Sequence, residues 1–543
     1  MNWKRLSFKR LGFWGRFLGL CCLCLFLVIS CGKRPDANAP NTNKDRIILG
    51  TTLKPRTLDP ADAYELAASN VLYSLGDRLY TYQLGSDRII PQLASELPKI
   101  SADGKTYTIP LRKGVFFHDG TPFNAEAMSF SLRRFKENGG KPSALLTDIV
   151  DSIQVTGEYE IAIKLKTAFA AFPALLAYSG MAAVSPKAYE IGNGKFTPAK
   201  FVGTGPYKLV EFGTNAIKLD VFDQYWGQKP PNQGIDLQIF SSSSNLFNSF
   251  KTGAVDLAYQ SLDPDQIASL QQSAANSGVQ VLEAKSNVLS YMVLNTKLKP
   301  LDKVEVRQAI ASLIDRQLIT ERILRKQGEP AYSMIPTTFE FSQPVFKTVY
   351  GDANITKAKE LLAKAGVTTA NPLKLEIWYP SGSAIRQQVA SILKESTTKE
   401  LGGLIDIQPQ AVESATFFAN IRKGLYQSAL VDWYPDFSDA DNYIQPFLSC
   451  NKGSVTEGCV EGASQSQGSF YYSDRMNQLI AKQRSEQKPA ARQQIFADIQ
   501  QLMAQDVPLI PLWQNKDFAF AKKGLKGVTL DPIQQLALWQ VSK

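Results

Sequence analysis

Histidine is nearly absent from this sequence, since His118 is the only one among 543 residues. A serine hydrolase triad needs an imidazole, and most zinc sites use imidazole or thiolate ligands. His118 lies in the segment Phe117-His118-Asp119-Gly120, which is typical of a turn, where a structural hydrogen bond is a commoner role than proton transfer. The sequence therefore predicts no histidine-dependent catalysis, no metal site and no resident cofactor.

Other motifs of catalysis and phosphate binding are also missing. No G-x-S-x-G nucleophile elbow occurs. Gly140-Lys141 is followed by Pro142 and Gly194-Lys195 by Phe196, whereas a phosphate-binding loop requires Ser or Thr after the lysine. Gly203-Thr204-Gly205 continues as Pro206-Tyr207-Lys208, which does not fit a dinucleotide fingerprint. We therefore expect a protein that is not an enzyme.

The sequence also lacks a concentrated block of basic charge. The formal net charge is +10, but five basic residues and no acidic ones fall within the first 30 positions, which leaves 55 basic against 50 acidic residues. Nucleic-acid binding favours a basic stripe with interleaved aromatics, and here Lys and Arg are spread among Asp and Glu. The sequence predicts no nucleic-acid partner.

The sequence has no long hydrophobic run, and one short apolar run lies near its start. Five basic residues precede the apolar stretch 17–29, which leads through Ser30 into Cys31. A helix needs roughly 20 apolar residues to cross a bilayer, and this run has 13. The pattern predicts a lipoprotein signal peptide over residues 1–30 with Cys31 as the lipid anchor, the alternative being an uncleaved signal anchor. Residues 31–44 are polar and rich in Asn and Pro, which predicts a flexible tether.

Only two cysteines follow the predicted anchor, because Cys21, Cys22 and Cys24 lie within the leader. Cys450 and Cys459 flank a loop rich in turn residues, and outside the cytoplasm an oxidised pair would persist. We predict a disulfide between them. A zinc site is the alternative, although the spacing lacks a second pair of ligands.

The remaining 500 or so residues exceed what one hydrophobic core usually organises, so we expect two or three domains. Strand and helix patterns alternate along these residues, which predicts a mixed α/β fold class. Asn124 is expected to cap a helix, and Asp302 with Glu305 to form a capping box. We predict strands at 46–50, 106–112, 115–117, 373–379, 405–410 and 428–433, and helices at 356–364, 384–400 and 473–504, the last broken at Pro489.

Several of these segments resemble the solute-binding protein family 5, the binding components of peptide and nickel ABC importers. The matching segments are 91–94, 101–107, 111–126, Gly203-Thr204-Gly205-Pro206-Tyr207, Tyr225-Trp226, Gly253-Ala254-Val255-Asp256, 306–310 and 314–316. Their order agrees with the family along residues 45–543.

The resemblance implies a two-lobed periplasmic-binding-protein fold with an extra inserted domain. Lobe I would take 45–82, 201–286 and 511–543, the inserted domain II 83–200, and lobe III 287–510. The motifs around His118 and Gly205 would then determine the fold and lie outside the pocket.

The resemblance also implies a ligand site, because Trp433-Tyr434-Pro435-Asp436 is similar to the family's Trp-x-x-Asp element. There the strand that ends at Trp433 would pair with the peptide backbone, Trp433 and Tyr434 would shield the site from water, and Asp436 would accept the peptide's ammonium group. The alternative is that Asp432, Asp436, Asp439 and Asp441 form a solvated acidic loop with structural roles.

Further ligand contacts are expected from the facing lobe. Leu58-Asp59-Pro60 resembles the family's opening motif, which implies main-chain hydrogen bonds to an extended ligand from Tyr64, Glu65 and Leu66. Arg386 is a candidate for the ligand's carboxylate, with an exposed arginine at a helix start as the alternative.

The resulting prediction is a monomeric, lipid-anchored binding component of an ABC importer, at the outer face of the cytoplasmic membrane or in the periplasm. It would capture oligopeptides and deliver them to a permease with its ATPase subunits. Asp439 is followed by Ala440 where family members often have Pro, so ligand length and identity stay open. The alternatives are a receptor or chaperone-like cleft binder, an importer component for a chelated metal, and a secreted hydrolase on the same scaffold.

Overall fold

The computed structural model describes residues 45–531, 533 and 535–543. The predicted signal peptide, the lipidation site Cys31 and the tether lie outside the described residues. The described part contains strands, α-helices and short 3₁₀ segments in mixed order, which agrees with the predicted α/β class.

The strands are numbered in chain order. They are β1 (Ile47–Thr51), β2 (Tyr80–Tyr82), β3 (Ile89–Pro91), β4 (Lys99–Ile100), β5 (Thr106–Pro110), β6 (Val150–Gly157), β7 (Glu160–Leu165), β8 (Tyr207–Phe212), β9 (Ala216–Val221), β10 (Ile235–Ile239), β11 (Leu257–Tyr259), β12 (Gln280–Leu294), β13 (Gly328–Pro330), β14 (Leu373–Pro380), β15 (Ile405–Val412), β16 (Ser428–Trp433), β17 (Lys452–Ser454), β18 (Gly458–Glu461), β19 (Leu509–Ala521), β20 (Leu530–Asp531) and β21 (Gln535–Leu536).

The helices are numbered in the same way. They are α1 (Leu66–Leu75), α2 (Ala125–Glu137), α3 (Ala144–Thr147), α4 (Phe172–Leu175), α5 (Ser243–Lys251), α6 (Pro264–Ser277), α7 (Val304–Leu313), α8 (Arg316–Leu318), α9 (Val345–Tyr350), α10 (Ile355–Lys364), α11 (Ala384–Leu401), α12 (Ser414–Arg422), α13 (Gln445–Leu448), α14 (Ala463–Ser466), α15 (Asp474–Ser485) and α16 (Pro489–Asp506).

An 11-stranded sheet runs through the molecule in the order β15-β14-β16-β12-β19-β11-β1-β10-β9-β8, with β13 paired to β19. A separate four-stranded sheet has the order β4-β5-β7-β6. Parallel pairs such as β14–β15 and β1–β10 need crossover connections, which long helices such as α11 supply.

Buried apolar side chains form three large cores. Core 1 reaches from Ile47 to Val541. Core 2 takes residues between Leu79 and Ala183, together with Phe437. Core 3 takes residues between Leu289 and Trp513. Several separate cores are expected for a chain of this length.

The long strands β12 and β19 join core 1 to core 3. The two strands are antiparallel, with Gln280 opposite Ala521 at one end and Val293 opposite Leu509 at the other. Ala519 and Ala521 pack in core 1, whereas Leu509 packs in core 3. The register shifts between Lys285 and Leu289, at the point where the pair passes from one core to the other.

Most of the predicted elements begin and end within two residues of their predicted bounds. The helix predicted at 473–504 is interrupted as expected, and Pro489 begins its second part, α16. The Asn124 side chain caps α2 by accepting a hydrogen bond from the Ala127 N–H at 3.0 Å.

Two of the local predictions are wrong. The capping box at Asp302 is not formed, because α7 begins at Val304 with Lys303 as its N-cap and no capping side-chain bond. The strand predicted at 115–117 is reduced to one bridge between Phe116 and Pro122, because the chain turns back at His118.

Candidate functional site

A cavity of about 330 Å³ lies between residues that precede and open α1 and the loop that follows β16. It brings together the ligand-site residues predicted from both parts of the chain, with the exception of Arg386. The lining includes Tyr64, Glu65, Leu66, Trp433, Tyr434 and Asp436. We call this space the cleft cavity.

The loop after β16 has a local reason to leave the sheet. Pro435 has no N–H to donate to a neighbouring strand, so the ladder ends at Trp433. The Asn442 side-chain oxygen then accepts hydrogen bonds from Trp433 Nε1 at 3.0 Å and from the Asp436 N–H at 3.1 Å. One amide group thus fixes both the tryptophan ring and the start of the Asp436 turn.

The same loop is also held from core 2. Phe437 packs in core 2, where its ring lies edge to face with that of Phe169 at 6.0 Å between centroids. The Ser438 N–H donates to Tyr82 Oη at 3.1 Å. Asp436 is therefore positioned by contacts on both sides of the loop.

Three of the four acidic residues in this segment form ion pairs with basic side chains. Asp432 pairs with Arg386, and Asp439 accepts two bonds from Arg492 at 2.6 and 2.8 Å. Asp441 lies 3.6 Å from Arg484. These three residues are therefore members of structural ion pairs.

Asp436 differs from these neighbours because no cationic side chain pairs with it in the described part of the chain. Its Oδ1 accepts a hydrogen bond of 2.6 Å from Tyr64 Oη. Burial raises the pKa of the Asp436 carboxyl above its ordinary value, while hydrogen bonds from Tyr64 and Asn442 act in the opposite direction. The cleft cavity thus holds a half-buried carboxylate without a positive partner among the described residues.

Strand β16 has an open edge next to this carboxylate. It pairs with β12 along its full length, from Ser428 to Trp433. On its other side it pairs with β14 only through Ser428 and Ala429. Within the residues that the structure describes, the second edge from Leu430 to Trp433 has no strand partner, and such an edge is a template for an added strand.

The main chain before α1 is partly used within its own loop. The Tyr64 N–H donates to Glu65 Oε2 at 3.1 Å, and the Glu65 carbonyl accepts from the Ala68 and Ser69 N–H groups. The Tyr64 N–H and the Glu65 carbonyl therefore already have partners within the loop. The main-chain contacts to a ligand that were predicted for this segment stay a prediction.

Arg386 does not line the cleft cavity. Its guanidinium pairs with Asp432 and also donates to Ser383 Oγ at 3.2 Å. Asp432 accepts a second bond, of 2.6 Å, from Ser290 Oγ. The predicted role of Arg386 in binding a ligand carboxylate stays a prediction, and in this arrangement its charge is balanced by Asp432.

The motifs that were expected to determine the fold have structural contacts. His118 Nε2 donates to the Gly205 carbonyl at 3.0 Å, and the Gly203 N–H donates to Nδ1 at 3.3 Å. Burial lowers the pKa of His118 to about 4, so the ring is neutral at physiological pH. A Cβ atom on Gly205 would lie 2.5 Å from the Leu75 carbonyl carbon, so this position requires glycine.

Sequence reasoning missed the buried carboxylate that organises these motifs. Asp77 accepts hydrogen bonds from Trp226 Nε1 at 2.9 Å, Thr204 Oγ1 at 3.0 Å and Gln92 Nε2 at 2.7 Å. Burial raises its pKa to about 6. Its donors are 15 to 149 residues away along the chain, so no local spacing could have identified it.

Asp59 in the opening motif is likewise structural. Its two carboxylate oxygens accept bonds of 2.7 Å each from the two terminal nitrogens of Arg134, and both side chains are buried. Bidentate pairing of this kind is geometrically specific. It ties the segment before Tyr64 to α2.

Cys450, which precedes β17, and Cys459, in β18, lie close enough for a disulfide, with 5.7 Å between their Cα atoms, and the disulfide itself stays a prediction. In the part of the chain that the structure describes, no cluster of three or more His, Cys, Asp or Glu side chains could hold a metal ion. Among the helices described, none combines the length and the apolar character needed to cross a membrane.

Comparisons with known proteins agree with this architecture. The glutathione-binding protein GsiB of Salmonella choleraesuis (strain SC-B67) is 27% identical over 485 residues, which cover 88% of this chain and 90% of GsiB. The solved structure of HbpA2 from Haemophilus parasuis superimposes with a TM-score of 0.78 at 22% identity, over 92% of this chain and 99% of that one.

A second solved structure shares the fold and contains a peptide. The dipeptide-binding protein of Pseudoalteromonas sp. SM9913 in complex with Met-Leu gives a TM-score of 0.74 at 22% identity, over 92% of this chain and 99% of that one. These neighbours have the two-lobed fold predicted from the sequence. The sequence signature of the bacterial extracellular solute-binding proteins, family 5 Middle, matches residues 88–454. The chain therefore belongs to the bacterial extracellular solute-binding proteins of family 5.

Proposed function

We propose that this protein captures peptides outside the cytoplasm for an ABC importer, with Asp436 as the anchor for the peptide's ammonium group. The observation that carries the proposal is the Asp436 carboxylate itself. It lies in the cleft cavity and, unlike Asp432, Asp439 and Asp441, has no cationic partner in the described structure. A charge-assisted hydrogen bond to an ammonium group would supply that partner.

The open edge of β16 supports an extended peptide rather than a compact solute. An incoming backbone could pair with residues 430–433 on the side away from β12. Main-chain pairing of this kind does not depend on the ligand's side chains. The peptide would then lead with its amino terminus toward Asp436, at the end of the strand.

Capture would work by a shift between open and closed arrangements of two lobes. We assign lobe I to residues 45–82, 201–286 and 511–543, domain II to 83–200 and lobe III to 287–510. The ligand touches residues of both lobes only when they are closed, and binding therefore favours the closed state. The long strands β12 and β19, which join core 1 to core 3, would act as the hinge. No covalent step is required.

Export and anchoring complete the proposal. The leader would be cleaved before Cys31, the thiol would carry a lipid, and residues 31–44 would tether a monomeric binding domain at the outer face of the cytoplasmic membrane or in the periplasm. The disulfide between Cys450 and Cys459 would persist in that compartment. Intact mass of the mature protein would show the lipid adduct and the absence of two free thiols.

The direct test is to identify the cargo. The protein would be purified from its native membrane fraction, denatured, and the released small molecules analysed by mass spectrometry, with an Asp436→Asn preparation as the matched control. We expect peptides with free amino termini from the wild type and much less of them from the variant. Recovery of a non-peptide solute, or equal recovery from both preparations, would contradict the proposal.

A panel of synthetic peptides distinguishes a peptide-binding protein from a peptide hydrolase. We expect isothermal titration calorimetry to detect binding of free-amine tripeptides, and chromatography to recover each peptide intact after long incubation. Accumulation of cleavage products would instead favour a hydrolase.

A further inference from the structure

A second cavity, of about 260 Å³, adjoins the cleft cavity and shares Leu66 and Tyr434 with it. One wall comes from β19 and includes Asp517. The same wall includes Phe518 and Phe520, and most of the lining from other segments is apolar and includes Leu53, Leu262, Ile267 and Val288. We call this space the Asp517 cavity.

The Asp517 carboxylate is incompletely satisfied. Its Oδ2 atom is buried and has no hydrogen-bond partner in the described part of the protein, while the Ser286 side chain hydrogen-bonds to the carboxyl group. Burial raises the pKa of Asp517 to about 6. An unpaired buried carboxylate is unfavourable unless a cation or further donors compensate it, so the site is suited to a positive charge.

The lysines beside Asp517 in the sheet are already paired. Lys516 Nζ lies 2.6 Å from Glu283 Oε1, and Lys285, opposite Lys516 in the β12–β19 register, lies 3.0 Å from Glu329 Oε2. Each lysine is therefore balanced by a glutamate.

The opposite side of the Asp517 cavity has an unusual backbone. Gln260 and Ser261, which both line the cavity, have φ values of 52° and 72°. Non-glycine residues in this left-handed region are uncommon and occur often at ligand sites. Asn70, which lines the cleft cavity, donates to Gln260 Oε1 at 3.0 Å and thereby links the two cavities.

We propose that the Asp517 cavity is a cation subsite that takes the basic side chain, Lys or Arg, of a peptide whose amino terminus lies at Asp436. The inference rests on the proposed function. The methylene stem of such a side chain would pack against the apolar wall while the charged head reaches the carboxylate. Pockets that hold a whole ligand typically have volumes of roughly 300–1,000 Å³. The Asp517 cavity is smaller, at about 260 Å³, and would hold one side chain of the peptide.

The test compares lysine with norleucine, which has a stem of similar shape and no charge. Tripeptides of alanine would carry one or the other at position one, two or three, and calorimetry would give each Kd. At one position we expect lysine to bind about tenfold more tightly than norleucine, as for a hydrogen bond to a charged group. This comparison uses the wild-type protein and does not depend on the folding of any variant.

Asp517→Asn then assigns the preference to this cavity. We expect the ratio of the norleucine Kd to the lysine Kd to fall to about one. The Kd of the norleucine peptide should stay within about twofold of its wild-type value, because the apolar contact with the stem is kept. Asp148→Asn, which changes an exposed aspartate, makes the same change in net charge and should leave the preference intact.

The outcomes separate this inference from the proposed function. Binding of the norleucine peptides without a lysine preference at any position would overturn the subsite and leave peptide capture standing. A preference that survives in Asp517→Asn would also overturn it. Failure of every peptide to bind would contradict both proposals.

Discussion

Tyr64 and Asp436 lie 372 positions apart in the chain and are joined by a hydrogen bond of 2.6 Å from Oη to Oδ1. The phenol precedes α1, whose buried residues pack in core 1, whereas the carboxylate follows β16 of core 3. Both residues line the cleft cavity, so the bond joins its two sides. No cationic side chain pairs with the Asp436 carboxylate in the described structure.

Tyr64→Phe should therefore weaken peptide binding. A hydrogen bond to a charged group contributes about 1.5 to 3 kcal/mol, so we expect an increase in Kd of roughly tenfold or more. Calorimetry with one free-amine tripeptide measures it. Tyr159→Phe is the control, because Tyr159 lines neither cavity. An unchanged Kd in Tyr64→Phe would show that the hydroxyl does not support the anchor.

Gly205→Ala should destabilise the fold without altering the cleft. The added Cβ would lie 2.5 Å from the backbone carbon of Leu75, and relieving such a contact typically costs on the order of 2 kcal/mol. Urea unfolding is the measurement. Gly157→Ala is the matched control, since its Cβ would meet only Glu160 at an ordinary 3.7 Å. Equal stability of the two variants would refute a structural role for this motif.

His118 should titrate well below the usual histidine range. Its folded pKa is lowered to about 4 by burial, against about 6.5 in the unfolded chain, so protons bind the unfolded state preferentially. The contribution of this residue to stability should therefore fall as the pH drops from about 6.5 to about 4. Because His118 is the sole histidine, imidazole NMR signals report it directly. We expect the Nε2–H tautomer; titration near pH 6.5 would contradict the burial.

Local features of the fold could be predicted from sequence. The Asn124 cap, the strand Ser428–Trp433 and the break before Pro489 depend on neighbouring residues and are present. The Asp302 capping box failed although its spacing was right, because the N-cap is Lys303, one residue later, and the helix begins at Val304. A spacing rule cannot fix which turn of a loop becomes the first turn of a helix.

The site could be predicted only in part. A family resemblance pointed to Asp436 and Tyr64, which the structure brings together. Asp77 and Asp517 were missed because their environments come from distant segments: Trp226 lies 149 positions from Asp77, and Ser286 is far from Asp517 along the chain. Arg386 carries the expected charge, but no local pattern indicates that Asp432, 46 positions away, pairs with it.

The central claim is that the Asp436 carboxylate holds the amino terminus of a peptide. The most direct measurement is calorimetry of one tripeptide, free and N-acetylated, against wild type, Asp436→Asn and the exposed control Asp406→Asn. We expect Asp436→Asn to cost about 2 to 5 kcal/mol with the free peptide and far less with the acetylated one, and Asp406→Asn to change neither. Equal losses for the two peptides in Asp436→Asn would contradict the account.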